Sequence, residues 1–241
     1  MRIILTHIIF FSVLLNLSAQ ELSDSTLNVG TTTRPTIPNN GTKTYNNNIK
    51  SIQTYVTGNN LSYPVIELQS TQTITISFDE LKAQSSNLLY KVTHCDKNWQ
   101  KSNMIPIEYS KGLEYNQIKD WFPSQGTMVD YVHYRITLPN DEFSFTKSGN
   151  YVVEIFSDTN QSKPICETRI IVVEQKVTIN AQVKQSSIVE SMITSQEVNI
   201  DIDYNSLPVR DPYQDLTVFI LQNSRWDNAI KDFKPTFVNN T

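Results

Sequence analysis

Three groups of residues in this chain are of types that can do chemistry. His94-Cys95-Asp96 sets an imidazole, a thiol and a carboxylate in a row, the ingredients of nucleophilic catalysis or of a metal site. Asp201 and Asp203 stand two residues apart and offer the hard oxygens that calcium takes. Arg225-Trp226-Asp227-Asn228 joins the two residue types most enriched at the energetic centres of protein interfaces. Each group has to be weighed against what its strand or turn permits.

Tyr90, Val92 and His94 alternate with Lys91, Thr93 and Cys95, which is the period of a strand. Adjacent side chains of a strand point to opposite faces, so His94 and Cys95 cannot act on each other as base and nucleophile. Beyond the leader described below, the remaining histidine is His133, and no paired Cys or His motif is present. No catalytic residue and no metal ligand is therefore assigned. The segment reads as structural: the strand closes at Cys95, Asp96 bonds backbone donors in a turn, and Trp99 packs back over the sheet. Calcium needs six to eight oxygen ligands, and no loop of that acidic density follows Asp203, so this pair reads as a solvated face. The chain has six glycines and no phosphate-cradling loop, so no cofactor is expected. Trp226, with Arg225, is a candidate partner contact, or else caps the core of its own unit. Cys95 and Cys166 are either a disulfide, which an oxidising compartment permits, or two independent buried thiols.

The elements that position these residues follow from patterning. Met1-Arg2 opens an apolar run that ends near Leu17-Ser18-Ala19, as in a secretory signal peptide cut after Ala19. The run of about 15 residues is too short to anchor a membrane helix, and no later run approaches that length. Residues 20–48 are rich in Thr, Asn and Pro with few apolar positions, and are expected to form a tether that is flexible or ordered only on a partner. Residues 49–175 alternate apolar and polar around Ile74, Ile76 and Phe78, around Tyr151, Val153 and Ile155, and along Ile170 to Val173. Turns at 57–60, 139–141 and 148–150 separate these strands, which predicts an immunoglobulin- or fibronectin-like β-sandwich in an all-β chain. A short helix is expected around Glu114 to Trp121. Residues 176–241 begin a second β unit, with strands at Val177–Val183, Val198–Tyr204 and Leu216–Leu221, and this unit is expected to be truncated. The net charge of −4 disfavours a phosphate backbone as partner, and no basic block is present to hold anionic lipid.

Six segments in order resemble the type IX secretion system plug protein family of Bacteroidetes. They are Leu61–Leu68, Thr93–Gln100 (containing His94, Cys95, Asp96 and Trp99), His133–Asp141, Phe145–Tyr151, Ala181–Lys184 and Asn223–Ile230. The resemblance runs from Ile49 to the end of the chain. It implies a non-enzymatic exported protein in the periplasm, held at the outer membrane by its partner, the translocon barrel, whose periplasmic opening it plugs. It supplies no catalytic residues. Family members are roughly twice as long, in keeping with a second unit that stops in mid-pattern.

Two other classes compete with this reading. One is an exported carbohydrate- or ligand-binding sandwich using surface Trp121 or Trp226 as a stacking platform. The other is a hydrolase with Cys95 as nucleophile.

Overall fold

The structure is a computed structural model that describes residues 7–13, 41–189, 193, 196–222, 225–227, 229–231 and 234–238. The expected leader and tether lie outside the described residues, except for the strand at 7–13 and the stretch from Gly41 onward. Two compact units are present. The larger extends to Val173 and takes in Leu221–Ala229; the smaller comprises Glu174–Ile220, the residues from Ile230 on and the start of the chain.

Numbered along the chain, β1 is His7–Val13 and the larger unit follows with β2 (Lys43–Thr44), β3 (Ile49–Val56), β4 (Val65–Glu67), β5 (Ile74–Glu80) and β6 (Leu88–Cys95). A single helical turn, α1 (Pro106–Tyr109), precedes β7 (Ser110–Gly112), β8 (Asn116–Gln117), β9 (Asp120–Pro123), β10 (Val132–Leu138), β11 (Phe143–Phe145), β12 (Gly149–Ser157) and β13 (Cys166–Val173). One sheet has the order β3-β5-β10-β9. The other has the order β2-β13-β12-β6-β8, with β4 also paired to β13, and β7 pairs with β11 separately.

The period-two pattern explains which faces meet. In the first sheet Ile76 lies opposite Ile136 and Phe78 opposite Tyr134, so Thr75, Ser77 and Asp79 face the other way. In the second, Tyr151 lies opposite His94 and Val153 opposite Val92. Ile74, Phe78, Tyr134, Leu138, Tyr151, Val153 and Ile170 have no exposed surface, and they belong to a single core cluster drawn from both sheets. Phe78 stacks on Tyr134 with centroids 5.2 Å apart, and Thr54 Oγ1 meets Thr168 Oγ1 at 2.8 Å from the opposing sheet. Full burial of each large apolar side chain contributes about 1.5–3 kcal/mol, so this interlayer is the main source of stability.

In the smaller unit β14 (Thr178–Gln185) pairs antiparallel with β15 (Gln196–Asp203), followed by the turn α2 (Pro212–Asp215) and β16 (Leu216–Gln222), which pairs with β1. Asp201 and Asp203 lie opposite Asn180 and Thr178, and Asp203 is exposed. The chain is all-β, as the alternation indicated.

Two expectations are corrected and one open choice is resolved. Residues 41–48 are not a featureless tether. Lys43 and Thr44 pair with β13, Lys43 bridges Glu167 at 2.8 Å, and the Tyr45 hydroxyl donates to Glu167 at 2.9 Å. A polar segment is ordered here because a strand edge and a carboxylate take up its donors. Residues 114–121 do not form a helix. Asn116–Gln117 pairs with Leu89 and Tyr90, and Asp120–Pro123 pairs along β10, so neighbouring edges override a weak local preference. The Cys95–Cys166 bridge is not formed, and both thiols are free and buried. Cys95 lies opposite Asn150 at one end of β12, whereas Cys166 lies opposite Ile155 toward the other. Alternation also turns them to opposite faces of the sheet, out of reach of any S–S bond.

Candidate functional site

Two of the three residue groups singled out in the sequence meet on and around the end of β6. His94 points into the core and is 8% exposed. Its ring packs edge-on to Tyr151 at 5.1 Å and tilted against Tyr109 at 5.7 Å. Its Nε2 meets the Ser148 carbonyl at 3.4 Å and its Nδ1 meets Ser102 Oγ at 2.9 Å. A carbonyl only accepts, so Nε2 carries the proton and Nδ1 accepts from the Ser102 hydroxyl. That arrangement suits the neutral ring. Burial is the main reason its pKa falls below the ordinary 6.5; the Ser148 carbonyl and Asp96 oppose the shift and Lys147 adds to it.

The sign of the pH effect follows. As pH falls below about 6.5 the unfolded chain takes up a proton at His94 that the folded chain resists, so this group lowers stability on acidification. The urea midpoint is expected to fall between pH 7.5 and pH 5.5, with the imidazole carbon shift of His94 still that of the neutral ring at the onset. A His94 titration midpoint above 6.5 would contradict this.

Cys95, the next residue, faces the opposite way, as the strand period required, and burial pushes its thiol up to about 11. It is thus not a thiolate near neutral pH, and it has no imidazole beside it. Asp96 Oδ1 accepts from the backbone N–H of Asn98 at 2.8 Å and of Gln100 at 2.9 Å, closing the turn. This turn delivers Trp99 with a left-handed φ of 64°, a sparsely populated conformation for a large side chain.

The outward face of β6, β12 and β13 is where the second motif arrives. Cys95, Asn150 and Ile171 form one row across it and Thr93, Val152 and Arg169 the next. The first row is at most 3% exposed, so this outer face is covered. The Arg169 guanidinium lies 4.5 Å from the centroid of the Trp99 ring, a cation–π contact. The Trp226 ring stands edge-on to Trp99 at 5.3 Å, and its Nε1 donates to the Tyr63 hydroxyl. Burial pushes the Tyr63 phenol up to about 12, against the pull of the Trp226 bond and the Arg169 charge, so it stays neutral. Arg225 does not join this cluster; it pairs with Asp227, with Nε at 3.0 Å. Trp226 therefore packs within the larger unit instead of capping the smaller one.

Tyr63 and Arg169 were not singled out by sequence reasoning. Tyr63 falls inside a recognised segment without a chemical signal of its own. Arg169 was legible only as one charge within the otherwise apolar end of β13.

Elsewhere, exposed apolar side chains gather on β9 and the loop after it: Trp121 at 44%, Phe122 at 46% and Met128 fully exposed. Among the described residues β9 is the last strand of its sheet. His133 pairs with Asp79 at 2.7 Å beneath Phe122. Among the described residues no group of three or more His, Cys, Asp or Glu could hold a metal ion. No described helix is long and apolar enough to cross a membrane.

Comparison with known proteins places this geometry. Residues 49–174, more than half of the chain, match the family described as type 9 secretion system plug protein 1st domain. A hypothetical protein from Parabacteroides merdae, known by its crystal structure, superposes with a TM-score of 0.78 at 34% identity, over 82% of this chain and 50% of that one. This chain thus spans about half the length of that relative. An alkylpurine DNA glycosylase from Pseudomonas fluorescens aligns with a TM-score of 0.27 at 10% identity, over 52% of this chain and 29% of that one, too little to carry an argument. No curated protein matches the chain. The two-sheet unit built around the His94–Trp99 turn is a plug first domain, and the chain belongs to the type 9 secretion system plug protein family.

Proposed function

We propose that this chain is a non-enzymatic exported component of the type 9 secretion system that docks at the periplasmic opening of the outer-membrane translocon barrel and closes it when no substrate passes. The observation that carries the reading is the family match over residues 49–174, most of the two-sheet unit. The chemistry-bearing residues within that unit favour a structural body: His94 and Cys95 face opposite ways, and Asp96 is spent on backbone donors. A barrel wide enough for folded cargo leaks solutes when open, and a rigid sandwich at its mouth is a physically sufficient stopper.

Affinity capture of the tagged protein from envelope extract is expected to recover the translocon barrel. Glu in place of the exposed Phe122 or Met128 is the first change expected to weaken that capture, since a charge in an apolar contact must be desolvated. Repeated recovery of no outer-membrane partner would overturn the reading.

The exported carbohydrate-binding alternative keeps one supporting observation, the exposed Trp121 ring. Glycan binding abolished by Trp121→Ala would favour it over the plug. Trp226 is a poorer platform, since its N–H and one ring edge are engaged by Tyr63 and Trp99.

A further inference from the structure

The family domain ends at residue 174, yet its outer sheet face is closed by a side chain that comes later in the chain. We propose that Tyr63, Trp99 and Arg169 form a built-in recognition site for the indole of Trp226, which makes Trp226 an integral part of the first domain. The inference is independent of what the protein docks on.

Four observations carry it. The first is the left-handed backbone of Trp99, which persists only where surroundings over-determine it. The Asp96 turn supplies part of that constraint through its bonds to Asn98, Gln100 and the Trp99 N–H at 3.0 Å. The indole nitrogen of Trp99 supplies none, since among the described residues it is buried without a hydrogen-bond partner. The placement of its ring therefore rests on contacts, with Arg169 on its face and Trp226 at its flank.

Second, Arg169 is itself held. A Cβ at Gly41 would lie 2.1 Å from Arg169 Cδ, so the Gly41 backbone presses directly on the arginine stem. Arg169 thus has the Gly41 backbone against its stem and the Trp99 ring against its guanidinium. Third, the polar contact has a direction. An indole N–H can only donate, and Tyr63, kept neutral by burial, accepts through its oxygen. The site therefore distinguishes an indole from a plain benzene ring. Fourth, the row beside that of Arg169 on the same face, Cys95, Asn150 and Ile171, is at most 3% exposed although it faces away from the core, so something covers it. Leu221–Ala229 belongs to this unit, whereas its flanks belong to the smaller one.

The test uses the full chain. Hydrogen exchange at 94–102, Tyr63 and Arg169 is compared in the parent, Trp226→Ala, Trp226→Phe and Tyr63→Phe, with β5 and β10 as internal reference. Losing an edge-on aromatic contact together with a hydrogen bond is expected to speed exchange at 94–102 about tenfold in Trp226→Ala while β5 and β10 stay protected. Trp226→Phe and Tyr63→Phe should each give a smaller increase in the same segment, because each breaks the bond between the indole N–H and the phenol oxygen. Unchanged exchange at 94–102 in Trp226→Ala would overturn the proposal. If Trp226→Ala fails to fold, Trp226→Phe and Tyr63→Phe decide the matter, and unchanged exchange at 94–102 in both would overturn it equally. Capture of the translocon reports separately on the plug reading.

Discussion

Gly149→Ala is expected to destabilise the larger unit by about 3 kcal/mol, enough to lower its melting temperature by roughly 10 °C. Gly149 has φ +152, where L side chains are rare, and a Cβ built there would lie 2.3 Å from His94 Nε2. An imidazole at a surface could swing away. This one cannot, because Tyr151 and Tyr109 flank it and Ser102 and Ser148 hold its two nitrogens. The new methyl group must therefore displace His94, and with it the strand end that launches the Asp96 turn. Thermal unfolding followed by circular dichroism measures the effect. A shift within about 0.5 kcal/mol of the parent would show that the His94 corner yields more easily than its packing indicates.

Tyr151 is the second expected large effect. It has no exposed surface, meets Phe145 at 4.9 Å and His94 at 5.1 Å, and donates to the Lys147 carbonyl at 2.6 Å. Truncation to Ala removes an aromatic from the point where the core meets the motif, and is expected to cost about 3–5 kcal/mol. Tyr151→Phe keeps the ring and leaves the Lys147 carbonyl short of a donor, which is expected to cost about 1 kcal/mol. Chemical denaturation of both variants separates the two contributions. Equal losses would mean that the hydroxyl, not the ring, dominates.

Much of this architecture was legible from residue order alone. Ile74, Ile76 and Phe78 alternate without interruption, and they form the core-facing side of β5, although Thr75 and Ser77 on its other side are buried too. The same period placed His94 and Cys95 on opposite sides of β6, which removed the nucleophile–base reading before any coordinates were needed. Asp96 as a turn residue was legible too, because an Asx side chain bonding backbone two residues on is a local device. The short elements were not. β8 and β9 hold two and four residues, too few for a period, and exist because β6 and β10 offer open edges.

Local alternation and turn chemistry act over a few residues, and so the long strands, the all-β class and the opposite facing of His94 and Cys95 were already written in the order of the side chains. The meeting of Trp226 with Trp99, Tyr63 and Arg169 was not, nor was the separation of the two cysteines to opposite ends and faces of one sheet. Those depend on which strands pair and in what register, a choice settled by burial of side chains far apart along the chain. A polar or aromatic residue acquires its partner only once that packing is complete.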